Sequence, residues 1–117
     1  MISWIKGEII SSWLQNQKLF LLINCQGLGY EIQILNNVET EFNEKDIILW
    51  IEHIKREDSE LLFGFGKKEE RDFFRDLLKV RGIGPQIGMS LLNKYSINAV
   101  KTSLVKQNKD LISSVPG

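Results

Sequence analysis

One cysteine and one histidine in 117 residues leave this chain few parts for a reactive centre. Cys25 alone makes neither an internal disulfide nor a multi-cysteine metal site. The sequence holds no P-loop and no cluster of residues at metal-ligand spacing, so neither a metal nor a cofactor is expected and an enzyme is the weakest reading. No apolar run approaches the roughly 20 residues of a membrane-spanning helix. The start, Met1 to Glu8, lacks the basic segment and small-residue cleavage site of a signal peptide, so the cytoplasm is the expected compartment. An excess of either charge is also missing, with 15 Lys and Arg against 15 Asp and Glu. What is present is 43% hydrophobic and 26% charged, the composition of a folded chain rather than a disordered one.

The balanced charge hides an uneven distribution. Residues 1–63 carry five basic and ten acidic side chains, a net of −5, and residues 64–117 carry the reverse, +5. From Leu77 onward six basic residues face a single acid, Asp110. Such a split suggests two units with different tasks, although helix-surface solvation produces charge runs as well.

The acidic part reads as strands. Tyr30, Ile32 and Ile34 alternate with Glu31 and Gln33, placing the polar pair on the opposite face. Stretches 2–10, 19–25, 30–35, 46–54 and 60–65 are rich in Ile, Phe, Trp and Tyr, as strands prefer. Asn16-Gln17 and Gly27-Leu28-Gly29 are expected as turns, and the polar stretch 36–45 as a longer connection. Five short strands fit an OB-type barrel; an SH3-like barrel or an open sheet fits the pattern nearly as well. His53 shares a face with Ile47, Leu49 and Ile51 and reads as a structural or interface residue rather than a catalyst. Cys25 reads as a small core hydrophobe. Trp4, Trp13 and Trp50 are candidates for stacking bases, yet core or interface roles suit an acidic unit better.

The character changes after Gly64-Phe65-Gly66. Phe73, Phe74, Leu77, Leu78 and Val80 form a helical stripe over 67–80, with Asp72/Arg75 and Asp76/Lys79 as i, i+3 ion pairs. A second helix is expected over 85–95, with Ile87, Leu91, Leu92 and Tyr95 on its inner face. Ser96 is suited to cap a third helix and Asn108 a fourth. The fold class is therefore α+β: strands over 1–65, then an all-α unit over 66–117.

Between the first two helices lies Arg81-Gly82-Ile83-Gly84-Pro85. Two glycines permit close approach of backbone to a partner. Pro85 suits the first helical turn, and free amides at such a helix start form a seat for phosphate. Lys79 and Arg81 add charge, and Ile83 is expected to tuck inward. A plain αα turn has the same local pattern. It is not a dinucleotide fingerprint, because the glycines are spaced G-x-G-x-x-x-G and a helix precedes them.

Four stretches in order resemble the RuvA family: Gly27-Leu28-Gly29-Tyr30-Glu31-Ile32, Arg56-Glu57-Asp58-Ser59-Glu60-Leu61-Leu62-Phe63-Gly64-Phe65, Lys68-Glu69-Glu70-Arg71, and Val80 to Leu92. The resemblance spans the whole chain. It implies a five-stranded OB-fold β-barrel over 1–65 that assembles four subunits, with an octamer on DNA as the larger form. It implies a domain of two helix-hairpin-helix motifs that grip Holliday junction DNA without catalysis. It also implies a third domain, beyond these residues, for the RuvB ATPase, with RuvC resolvase as a further partner. Glu57 and Asp58 match the family's acidic pin; read alone, they are a solvated turn or weak metal ligands. Lys79, Arg81, Gly82, Ile83, Gly84 and Gln86 match the first hairpin. Gly117 aligns with Gly82 as the start of a second, and the abrupt end is expected to mark a shortened chain.

Three positions depart from the family pattern. Ser3 replaces a usual Gly, Gln86 a common Lys, and Gly88 a usual Ala, the last weakening its helix by about 1 kcal/mol on propensity. Competing readings are a generic helix-hairpin-helix protein that binds duplex or single strands without junction preference, and a protein-interaction module with no DNA role.

Overall fold

The computed structural model describes residues 1–38 and 46–114, the last eight of these by backbone alone. Five strands come first: β1 (Trp4–Gln15), β2 (Lys18–Cys25), β3 (Leu28–Ile34), β4 (Ile47–Lys55) and β5 (Glu60–Phe65). Three helices follow: α1 (Lys68–Leu77), α2 (Pro85–Lys94) and α3 (Ile97–Ser114).

The strands close into a barrel in the order β1-β2-β3-β5-β4. The β3–β5 pair is parallel and the other four contacts are antiparallel. Closure excludes the open sheet, and the order β1-β2-β3-β5-β4 with its parallel β3–β5 pair is that of an OB barrel rather than an SH3-like one. β1 is longer than its apolar run predicts because it serves two neighbours. Trp4 to Gly7 pair with β4, and Glu8 to Gln15 pair with β2 across an irregularity between Ile9 and Ser11. Such a bulge bends a strand and lets one chain turn a barrel corner. Gly7 sits at this handover: a Cβ there would lie 2.5 Å from the Asn24 carbonyl oxygen, so no other residue fits without backbone movement.

The expected turn at Asn16-Gln17 is present, with φ of 52° and 66°, the left-handed pair that a two-residue hairpin needs. The turn expected at 27–29 is instead Gln26-Gly27, at φ 53° and 88°. Leu28 and Gly29 already pair with Cys25 and Asn24. The Gly27 amide donates to Asn24 Oδ1 at 2.8 Å, which anchors the turn one residue earlier than the glycine spacing suggests.

Two cores result. Ile5, Ile9, Leu21, Ile23, Ile32, Ile34, Ile47, Leu49 and Ile51 fill the barrel. Leu35, Phe63 and Phe65 leave the barrel's end and join Phe73, Phe74, Leu77, Met89, Leu92 and Val100 of the helices. The Phe74 ring lies 5.3 Å from Phe63 and 5.0 Å from Phe65, centroid to centroid, within the range of favourable tilted pairs.

α1 is also fastened by two arginines. Buried Arg71 donates from Nη1 to the carbonyls of Ser3 (2.8 Å) and Ile51 (3.2 Å) and lies over the Trp50 ring. The contact uses the Ser3 backbone, so its side chain is free to differ from the family's glycine. Arg75 Nε meets the buried Glu52 carboxylate at 2.8 Å, which raises the Arg75 pKa. The expected Asp72/Arg75 pair is therefore replaced: Asp72 takes Lys68 and Arg71, both at 2.8 Å, and those hydrogen bonds lower its pKa, Lys68 first. Asp76 and Lys79 do approach, at 3.4 Å.

α2 differs from its expected face. Its buried residues are Gly88, Met89 and Leu92, while Ile87 and Tyr95 are 52% and 57% exposed. The helix carries two apolar stripes. Gly88 lets the other stripe close on Phe74, where a Cβ would meet the ring at 3.0 Å. Ile87, Leu91 and Tyr95 instead line an open apolar groove against α3. α3 runs unbroken to Ser114, so Asn108 lies within it and caps no fourth helix. The stretch Lys106 to Asp110 holds no Gly or Pro to stop a helix. The apolar side chains that a fourth helix would turn inward, Leu111, Ile112 and Val115, lie outside the described residues.

Candidate nucleic-acid interface

The hairpin joining α1 to α2 is built from three consecutive tight turns. Lys79, Val80 and Ile83 donate their amides to Asp76, Leu77 and Val80 at 3.0 to 3.1 Å. Gly82 adopts φ +89°, a conformation β-carbon residues resist. This settles which amides face outward. The Ile83 amide closes the turn and is not open to a ligand. The amides of Gly82 and Gly84 have no backbone partner among the described residues.

Gly84 is the N-cap of α2, and no side chain caps that end. The first intrahelical bond runs from the Gly88 amide to the Gly84 carbonyl. Pro85 has no N–H, so the amides of Gln86 and Ile87 complete a set of outward donors. With the positive end of the helix dipole behind them, these groups suit a phosphate oxygen. Arg81 and Lys79 are exposed on the approach, Lys79 leaning on Asp76. Ile83 packs on the helical core as expected.

Gln86 behaves otherwise. Its Nε2 donates to Gln33 Oε1 at 2.8 Å and its Oε1 accepts from Gln33 Nε2 at 2.9 Å. Gln33 belongs to β3, so the amide ties the hairpin's helix to the barrel. The alternation puts Gln33 on a polar face; α2 covers that face. Gly117 lies outside the described residues.

Glu57 and Asp58 occupy the exposed tip of the β4–β5 hairpin, closed by the Arg56 amide donating to the Ser59 carbonyl at 2.8 Å. Neither carboxylate has a hydrogen-bond or ion-pair partner among the described residues. No cluster of three or more His, Cys, Asp or Glu gathers there or elsewhere among them, so the tip is a bare anionic projection.

Of the other singled-out side chains, His53, Trp13 and Trp50 make internal contacts. His53 Nδ1 accepts the Ile2 amide at 3.0 Å, while Nε2 lies 3.4 Å from Glu60 without a hydrogen bond. Trp13 stacks on Phe20, and Trp50 lies under Arg71. Trp4 is exposed, and Cys25 is half-buried against the barrel core.

Comparison with known proteins places the chain in a family. The family described as RuvA N terminal domain matches residues 1–64. The chain belongs to the RuvA family. The helical part matches a second description, SAM-like helix-hairpin-helix tandem, over residues 74–117. Among curated RuvA relatives, the Holliday junction branch migration complex subunit RuvA of Prochlorococcus marinus subsp. pastoris is 57% identical over 122 residues. Those of Prochlorococcus marinus strains MIT 9312 and MIT 9301 are 55% and 52% identical. Each alignment covers 100% of this chain but only 56%, 54% and 54% of the respective relative. The chain thus spans about half the length of these RuvA proteins.

Proposed function

We propose that this chain binds Holliday junction DNA without catalysing a reaction, and holds the junction open for branch migration. The observation that carries the reading is a division of charge over one frame. The hairpin offers open amides at Gly82, Gly84 and the start of α2, flanked by Lys79 and Arg81. The barrel offers an unpaired acidic tip at Glu57 and Asp58. Amide and cation contacts to phosphates grip duplex arms without reading bases. The acidic tip repels phosphates, so it disfavours a closed helix at the centre and favours separated strands.

The same reading supplies the partners. The barrel assembles four copies around the crossover, with eight on DNA as the larger form. ATP hydrolysis belongs to RuvB, reached through a domain beyond these residues, and RuvC resolvase acts on the same junction. The compartment is the cytoplasm.

Competition binding between a synthetic four-way junction and a linear duplex of equal length, at matched salt, tests this. The junction is expected to win, and Arg81→Glu is expected to weaken both while flattening the salt dependence by about one unit of log-log slope. Equal affinities would assign the chain to generic helix-hairpin-helix binding. Light scattering with and without the junction reads the assembly, and a monomer in both conditions would overturn the tetramer.

A further inference from the structure

We propose that Gln33 and Gln86 form a latch that sets the position of the DNA-gripping hairpin relative to the barrel, making both positioning residues for junction selection. The inference rests on the function proposed above. Gln33 is 5% exposed although it lies on the outer face of β3, opposite the core residues Ile32 and Ile34. Burying an amide without partners is costly. Gln86 supplies both partners at once, because two carboxamides are self-complementary, each giving one N–H and accepting one. Lysine, a donor only, would leave the Gln33 NH2 group unmatched. The glutamine at 86 is therefore explained by the barrel surface it faces rather than by the DNA.

A second contact lies on the same face of α2. The Asn36 amide donates to Asn93 Oδ1 at 2.8 Å. Residues 86 and 93 are two helical turns apart, so both project toward the barrel, with buried Met89 between them. Gln86 is in the first turn of α2, next to the open amides of Gly84 and Ile87. Fixing Gln86 fixes those donors. A duplex tolerates a swivelling hairpin because the phosphate rail offers equivalent sites along its length. A four-way junction demands several grips at set spacing, so the latch acts on junction preference more than on duplex affinity.

The test is competition binding of junction and linear duplex at one ionic strength, using the full chain and the variants Gln33→Ala, Gln86→Ala, their double, and Gln33→Glu with Gln86→Lys. Gln33→Ala is expected to lower the junction-to-duplex preference roughly threefold to tenfold and to change duplex affinity by less than about twofold. The double variant is expected to be no worse than Gln86→Ala, since both remove one interaction. The Gln33→Glu, Gln86→Lys ion pair is expected to recover most of the preference. Unchanged preference in Gln33→Ala overturns the latch. So does a loss confined to Gln86→Ala that weakens both DNAs equally with a shallower salt dependence, which marks a direct phosphate contact. Hydrogen exchange without DNA gives an independent reading: the Ile83 and Gly88 amides, hydrogen-bonded to the Val80 and Gly84 carbonyls, should exchange faster in Gln33→Ala, and equal rates overturn the proposal. If the unmodified chain shows no junction preference, the functional reading fails, while exchange still decides the latch.

Discussion

The barrel and the helical layer solve the burial problem differently. The barrel encloses its own core of nine aliphatic residues from four strands. The helices do not enclose a core of their own and close instead on Leu35, Phe63 and Phe65 of the barrel. The difference shows what places the hairpin. Its frame is the barrel, reached through the Phe74 cluster, Arg71, the Arg75–Glu52 pair and the Gln33–Gln86 amides. The acidic tip needs no such help, since it sits directly on the β4–β5 hairpin.

The largest expected effect comes from cutting the shared core. Phe74→Ala removes the ring between Phe63 and Phe65 and is expected to cost about 3–5 kcal/mol. Chemical denaturation followed by far-ultraviolet circular dichroism measures it, with helix signal lost before strand signal. Simultaneous loss of both would show the two layers to be a single cooperative unit.

Next is Arg75→Ala, which strands the buried Glu52 carboxylate. Because the Arg75 side chain is 40% exposed, solvent screening holds the expected loss to about 1–2 kcal/mol, and Glu52→Gln on the same background should recover part of it. No recovery would mean that Arg75 acts through packing alone.

Gly88→Ala is smaller. Alanine favours the helix by about 1 kcal/mol, but its Cβ meets a fully buried ring at 3.0 Å, and overpacking costs about 1–3 kcal/mol. A net loss of about 1 kcal/mol is expected by thermal unfolding. A gain would show that Phe74 yields.

The smallest effect concerns acid. Hydrogen bonds from Lys68 and Arg71 hold the Asp72 pKa below the ordinary value. Its contribution to stability is present above the unfolded-state pKa and is lost as pH falls through the lower folded value. Asp72→Asn should therefore lower stability slightly at neutral pH and leave it unchanged below the folded-state pKa, which flattens the acid limb of a stability–pH curve.

How far the sequence reveals these features depends on the range of the interaction. Local signals are readable: the Tyr30–Ile34 alternation, the Asn16-Gln17 turn, Pro85 at a helix start and the Ser96 cap, whose Oγ accepts the Ala99 amide at 3.1 Å. The parallel β3–β5 closure is not, because no local pattern encodes which distant strands meet. Gln33 and Gln86 are 53 residues apart, and each looks like an ordinary surface amide alone. Arg71 does leave a trace in the sequence: it stands three residues before Phe74, on the buried face of α1. α2 misleads because two apolar stripes share ten residues, and periodicity cannot say which one meets the core.

The acidic tip and the hairpin are expected to oppose each other on plain duplex and to cooperate on a junction. The most direct test is the ratio of junction to duplex affinity for the unmodified chain and for Glu57→Gln with Asp58→Asn, at one ionic strength. The account predicts that the variant binds duplex more tightly and that the ratio falls. Weaker duplex binding, or an unchanged ratio, would contradict it.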